Sequence, residues 1–156
     1  MTNLEPILKE HPFFSGMGGA DIALISGCAR NARFKSGETI VKEGDPADEF
    51  FLIREGRVAV ALPSPNGGRL TIETLDSGEV AGWSWLFPPN FWQFDLLAVA
   101  STRALLIDGR CLRGKCEEDP RLGYDLMKRF SRIMVDRLTA VRLQAIDLYG
   151  KGNEQA

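Results

Sequence analysis

The chain has 156 residues, 44% hydrophobic and 26% charged, which suits one globular domain and excludes a disordered chain too poor in apolar residues to fold. Nineteen Lys and Arg against 21 Asp and Glu give a net charge of −2, the wrong sign for a typical nucleic-acid binder. The apolar runs fall short of the ~20 residues a membrane span needs, and the acidic, amphipathic start MTNLEPILKE does not read as a signal peptide. In chain order, residues 3–10 read as a short helix capped by Thr2 or Asn3, with Leu4, Ile7 and Leu8 on one face. A second helix is expected over roughly 20–30, with Ile22, Ile25 and Cys28 spaced by three. From Arg33 the period changes to short β-branched and aromatic runs: TIVKE, EFFLIRE, RVAVALP, RLTIETL, FDLLAVAS and RALLID. Glycine-centred turn signals separate them, and from Gly44 the steps to Gly56, Gly67 and Gly78 are 12, 11 and 11 residues. That rhythm predicts an antiparallel sandwich or barrel.

After Asp108 the helical period returns. Cys111–Glu118 reads as a short helix, Asp119 as a cap and Pro120 as a first helical residue. A long helix then runs to about Leu148, with KGNEQA expected to fray. Leu122, Leu126, Phe130 and Ile133 share one stripe of it. Met134, Leu138, Val141, Ala145 and Leu148 follow at steps of 4, 3, 4 and 3, a short heptad seam flanked by Asp136, Arg137 and Arg142. The fold class expected is α+β, mainly β: an antiparallel β-roll of the jelly-roll type with about eight strands. Helices at residues 1–30 precede the roll at 31–108, and helices at 109–150 follow it.

Catalytic signals are few. The one histidine, His11, precedes Pro12 at a helix exit and reads as a solvated cap. Metal sites need several ligands, and a Ser–His or Cys–His pair needs its histidine beside the nucleophile. No GxxxxGK[ST] and no GxGxxG occurs. Cys28, Cys111 and Cys116 are odd in number and lack framework spacing, so they are expected to be reduced, structural thiols in a cytoplasmic protein. Neither an enzyme nor a metal protein is expected.

One stretch carries a resemblance. Phe34, Gly37, Glu38, Ile40, Glu43-Gly44-Asp45, Asp48, Phe51, Ile53, Gly56 and Val58 stand in a single run. With the helix–roll–helix layout, this run resembles the cyclic nucleotide-binding domain family, the sensor type of catabolite activator proteins. The resemblance implies a phosphate-binding cassette, here residues 78–95. Its family pattern is a glycine whose amides meet the phosphate, a glutamate for the ribose hydroxyl and an arginine for the cyclic phosphate. Gly82 matches the glycine. Trp83 stands at the glutamate, and the arginine falls near Trp92 or Gln93. No Lys or Arg lies between Arg69 and Arg103, while Glu73, Asp76, Glu79 and Asp95 do.

Aromatics stand where the charges are missing: six of the chain's aromatics, including all three Trp, lie within residues 83–94. They read as a plug in the vacated pocket, as walls for a flat or apolar ligand, or as a stacking platform for a weakly held cyclic nucleotide. The candidate ligand residues are Gly82, Trp83, Ser84, Trp85, Trp92, Gln93 and Phe94. Met134, Leu138, Val141, Arg142 and Ala145 are the candidates for a lid and a homodimer seam on the long helix. Family transcription factors carry a helix-turn-helix after this helix, but only eight residues follow Leu148 here, so specific DNA binding is not expected. The reading is a non-catalytic regulatory module without a resident cofactor. It senses a small ligand and relays it through the last helix to an unknown partner protein. The alternative is a degenerate member with a self-filled pocket that serves as an interaction scaffold.

Overall fold

The computed structural model describes residues 3–154, with side chains described as far as residue 150. Eight strands form two four-stranded antiparallel sheets. The strands are β1 Ala29–Phe34, β2 Thr39–Val41, β3 Glu49–Glu55, β4 Arg57–Pro63, β5 Arg69–Asp76, β6 Val80–Ala81, β7 Asp95–Ala98 and β8 Thr102–Asp108. One sheet has the order β1-β8-β3-β6 and the other β2-β7-β4-β5. This is the mainly-β roll that the strand rhythm predicts. Four α-helices accompany it: α1 Glu5–Glu10, α2 Gly19–Ser26, α3 Gly109–Glu118 and α4 Pro120–Glu154. Two 3-10 turns, Pro12–Phe14 and Ser84–Leu86, interrupt the loops. Residues 3–118 form one compact unit, and α4 belongs to a second.

The inner faces of the two sheets enclose the roll's core. Phe51 and Ile53 of β3, Val58 and Val60 of β4, Leu96 of β7 and Leu106 of β8 meet there. The middles of β3 and β8 are apolar on both faces, because the outer face of the first sheet is covered there as well. Phe50 points outward, where Phe13 approaches it edge-on at 6.3 Å. Strand β1 alternates instead: Ala32 and Phe34 pack on the core, while Asn31 and Arg33 are exposed.

The helix boundaries move relative to the periodicity. Helix α2 ends at Ser26, and Ala29 already belongs to β1, so Cys28 lies beyond the helix. Thr2 lies outside the described residues; the N-cap position falls on Leu4 instead of Asn3, and Asn3 just before it accepts the Glu5 N–H at 3.0 Å. The last helix continues through Glu154, past the expected end near Leu148 and into the KGNEQA tail expected to fray. Within α4 the burial falls off along the chain: Leu122, Leu126 and Phe130 are buried, whereas Leu138, Val141 and Leu148 are exposed.

Two expectations are corrected by long-range contacts. Cys28 and Cys111 are joined in a disulfide, with Cα atoms 5.7 Å apart across 83 residues of sequence. The pairing of Ala29 with Ile107 in the β1–β8 ladder is the physical cause. It sets the residue before β1 beside the residues after β8, and the Asp108 N–H donates to the Cys28 carbonyl at 2.8 Å. Cys116 stays outside the disulfide. His11 does cap a turn, since its Nδ1 accepts the Phe13 N–H at 3.2 Å. It is buried rather than solvated, and its Nε2 lies 3.2 Å from the Ile53 carbonyl oxygen.

Those two bonds fix the neutral tautomer, with Nδ1 accepting and Nε2–H donating. Burial pushes the His11 pKa below its ordinary value of 6.5, against an opposing contribution from the Ile53 bond. Below about pH 6.5 the unfolded chain therefore binds a proton that the folded chain refuses. Stability is full above that pH and falls as the pH drops through it towards the lower folded-state value. Urea unfolding at about pH 7.5 and about pH 5.5 should show wild type losing more stability than His11→Gln, because carboxylate titration is common to both. Equal losses would refute the assignment.

Candidate functional site: the cassette between β6 and β7

The segment from Val80 to Asp95 leaves the roll after β6 and returns at β7. Gly82 opens it with φ +102°, a region that side-chain-bearing residues rarely adopt. The reason for glycine is spatial as well as torsional. A Cβ on Gly82 would stand 2.4 Å from the Cη2 atom of Trp92, so the indole lies against the bare backbone.

Trp92 is only 2% exposed and belongs to the core of the roll. Its ring stacks near Phe51 at 6.2 Å and meets Phe94 edge-on at 5.8 Å. Its backbone is held from both sides by the loop after β2. The Trp92 N–H donates to the Asp45 carbonyl at 2.9 Å, and the Gly44 N–H donates to the Trp92 carbonyl at 2.8 Å. Asp45 in turn accepts the Lys42 N–H at 3.2 Å. The Glu43-Gly44-Asp45 block thus builds the turn that fixes Trp92.

Trp85 serves a different packing. It is fully buried and stacks on Phe50 at 5.1 Å, outside the roll's core cluster. A Cβ on Gly109 would stand 2.9 Å from its Cβ, so the start of α3 closes over it. The Trp85 carbonyl accepts a short bond from Arg113 of α3. Arg113 also pairs with Asp48 at 3.3 Å, and Arg110 pairs with the same carboxylate at 3.1 Å. Asn90, with φ 59°, donates to the carbonyls of Ser84 and Trp85 at 2.9 and 3.1 Å and closes the loop on itself.

The candidate ligand residues therefore divide. Gly82, Trp92 and Phe94 come together at the roll's interior. Ser84 and Trp85 are buried towards α3, Trp83 is half-buried, and Gln93 is exposed with its side chain on the Phe91 carbonyl at 3.2 Å. Phe87 and Phe91 are each 44% exposed at the outer end of the loop. Met134, Leu138, Val141, Arg142 and Ala145 lie on α4; Met134 is half-buried and the other four are exposed.

Electrostatics add a pair that sequence reasoning missed. Asp95, buried at the start of β7, meets Arg69 at 2.9 Å and accepts the Glu43 N–H at 2.7 Å. The nearest basic residue before the cassette is therefore already engaged. Position in the sequence carried the hint, since Arg69 and Asp95 begin strands on either side of β4. Among the described residues no group of three or more His, Cys, Asp or Glu could hold a metal ion, and no helix is long and apolar enough to cross a membrane. Glu49, whose carboxyl is pushed up by burial, opposed by Arg30 and reinforced by Asp108 and Asp48, lies outside the cassette.

The contact between Gly82 and Trp92 is open to direct test. Trp92→Ala should destabilise the domain by about 3–5 kcal/mol, as loss of a buried aromatic does. Gly82→Ala should be costly in wild type through both the collision and the positive φ. In the Trp92→Ala background only the torsional part remains, so a double-mutant cycle of urea unfolding should give a coupling of about 0.5–3 kcal/mol. Additive costs would mean the two residues do not touch.

A family model for the cyclic nucleotide-binding domain matches residues 31–119, more than half of the chain. The chain is 22% identical over 129 residues to a CRP-like cAMP-activated global transcriptional regulator of Mycobacterium tuberculosis, covering 83% of this chain and 58% of that one. It is 31% identical over 133 residues to Glutaminase 1 of Bradyrhizobium diazoefficiens, covering 84% of this chain and 21% of the enzyme. It thus spans less than two thirds of these curated relatives. A solved Geobacter metallireducens GS-15 protein described as cyclic nucleotide-binding superposes with a TM-score of 0.78 at 26% identity, over 88% of this chain and 99% of that one. Fold, motif residues and these matches agree, and the chain belongs to the cyclic nucleotide-binding domain family.

Proposed function

We propose that this domain is a non-catalytic regulatory module in which a resident tryptophan stands where the family holds its cyclic phosphate. The observation that carries this is the Trp92 indole lying on the bare backbone of Gly82, at the position where the family resemblance places the phosphate. Trp92 also stands at or next to the arginine of the family pattern, so one replacement removes the anion's partner and fills its space. Trp83 at the glutamate position removes the ribose anchor. Truncating one partner of a buried charge pair costs about 2–5 kcal/mol, and each 1.4 kcal/mol is about tenfold in affinity. Any ligand entering the roll must also displace the Trp92 side chain, whose backbone is held by Gly44 and Asp45.

The relay follows from the same loop. Arg113 ties the Trp85 carbonyl and Asp48 to α3, and Asp119 alone separates α3 from α4 in sequence. A rearrangement of residues 83–94 would reach α3 through that bond. The reader of such a shift is a protein: the net charge of −2 disfavours duplex DNA. The seam Leu138, Val141, Ala145 and Leu148 is apolar, exposed and on one face, which supports a second copy of this chain as its occupant.

Calorimetry with cyclic AMP should show binding weaker than about high micromolar for wild type. The double variant Trp83→Glu/Trp92→Arg should gain affinity, since it restores both anchors and vacates the space. Sub-micromolar binding by wild type would overturn the proposal.

Sedimentation equilibrium tests the seam separately. Wild type should be a dimer and Leu138→Asp a monomer with an unchanged β-roll spectrum. A monomeric wild type, or a dimer that survives the substitution, refutes the seam.

A further inference from the structure

A second feature lies on the outer face of the β1-β8-β3-β6 sheet, away from the cassette. Arg33 of β1, Arg54 of β3 and Arg103 of β8 line one small cleft together with Asn31. The three strands are neighbours, spaced at about 4.8 Å, so the three guanidinium stems leave the sheet within roughly 10 Å. Arg33 and Arg103 are direct register partners. Like charges placed opposite each other in this way oppose sheet formation. Arg54 occupies the irregularity of β3 between Ile53 and Glu55, so the strand bends where its side chain enters the cluster.

The compensation inside the chain is partial. Glu55 pairs with Arg103 at 3.3 Å. Among the described residues no hydrogen bond or ion pair engages the guanidinium of Arg33 or of Arg54. Glu10 of α1 lines an adjoining groove shared by Arg54 and Arg103. Three arginines against Glu55 and Glu10 leave a positive excess on the face of a chain that is negative overall.

We infer that this cleft binds a single phosphate group. A guanidinium presents a planar fork of N–H donors matched to phosphate oxygens, and a phosphate near neutral pH carries close to two negative charges. The cleft volume of about 70 Å³ admits one such group. Whole small-molecule ligands occupy pockets of roughly 300–1,000 Å³, so the cleft itself is sized for the phosphate group alone. The group bridges Arg33 and Arg103 and removes the repulsion that their register imposes. The inference is independent of the cassette, since no residue is shared.

The test is a phosphorus NMR titration of the full chain with inorganic phosphate and, separately, with phosphoserine, at matched ionic strength. Saturable one-to-one binding is expected for at least one of them. Arg33→Gln and Arg54→Gln should each weaken it about tenfold or more, as loss of a charged hydrogen bond does. Arg57→Gln, which removes an exposed arginine paired with Asp76, should leave it unchanged. Tighter binding of phosphoserine assigns the cleft to a phosphoryl ester, and tighter binding of inorganic phosphate to the free ion. Without phosphate, Arg33→Gln should melt at or above the wild-type temperature, because a like-charge contact has gone. Absence of saturable binding, an equal loss in Arg57→Gln, or a destabilised Arg33→Gln would overturn the inference.

Discussion

The contact between the Trp92 indole and the bare backbone of Gly82 constrains everything around it. A side chain at residue 82 and an indole at residue 92 cannot coexist, because the Cβ would sit 2.4 Å from the ring. The glycine is needed for its φ of +102° and again for its missing atom. Once the ring is inside, Phe51 and Phe94 shape the space on its other sides. The Gly44 and Asp45 backbone then has to meet Trp92 in register, which explains why the loop after β2 carries a fixed turn. The space beside Gly82 is thus part of the hydrophobic core, and burial of the indole there contributes to stability.

The same loop couples two packings that would otherwise be separate. Trp92 turns into the roll, while Trp85 turns out to Phe50 and the first turn of α3. Between them lie Pro88 and Pro89 and an asparagine whose side chain bonds back to Ser84 and Trp85. The loop behaves as one closed unit held at both ends. Its outer tie, Arg113, shares Asp48 with Arg110, and the Gly109 N–H donates to the Asp48 carbonyl at 2.7 Å. The Cys28–Cys111 disulfide adds a covalent limit on how far the first turn of α3 can travel. The cassette is therefore joined to α3 by bonds and not by proximity alone.

What the sequence made legible, and what it concealed, follows the range of the interaction. The strand rhythm was readable because turns at residues such as Gly44 and Gly56 need positive φ, and that need is met locally. The absence of Lys and Arg between Arg69 and Arg103 was readable by counting. Strand β6 escaped because two residues make no pattern, and β1 escaped because Ala29-Arg30-Asn31 lacks β-branched residues. The burial of His11, the Cys28–Cys111 bond and the Arg69–Asp95 pair were hidden for a common reason. Each depends on contact between segments distant in sequence, 42 residues apart for His11 and Ile53 and 83 for the disulfide. No local periodicity encodes such partners. Trp92 stood between these cases: its position was readable, but which way its ring turned was decided by Gly82 and the Gly44–Asp45 turn.

Charge is distributed unevenly between the cassette and the outer sheet. The interval between Arg69 and Arg103 carries four acids and no base, yet its one buried acid, Asp95, is neutralised by Arg69 and by the Glu43 N–H. The interior thus keeps no net charge to attract an anion. On the outer sheet the balance runs the other way, with Arg33 facing Arg103 across the β1–β8 ladder and Arg54 beside them. Both arrangements cost something in isolation: an aspartate removed from water, and like charges held in register. The first cost is met inside the chain by two partners. The second is met only in part, by Glu55 at 3.3 Å from Arg103. An uncompensated cost on an otherwise well-satisfied sheet marks where an external anion would do the most for the fold. In this chain that place is the outer sheet rather than the cassette.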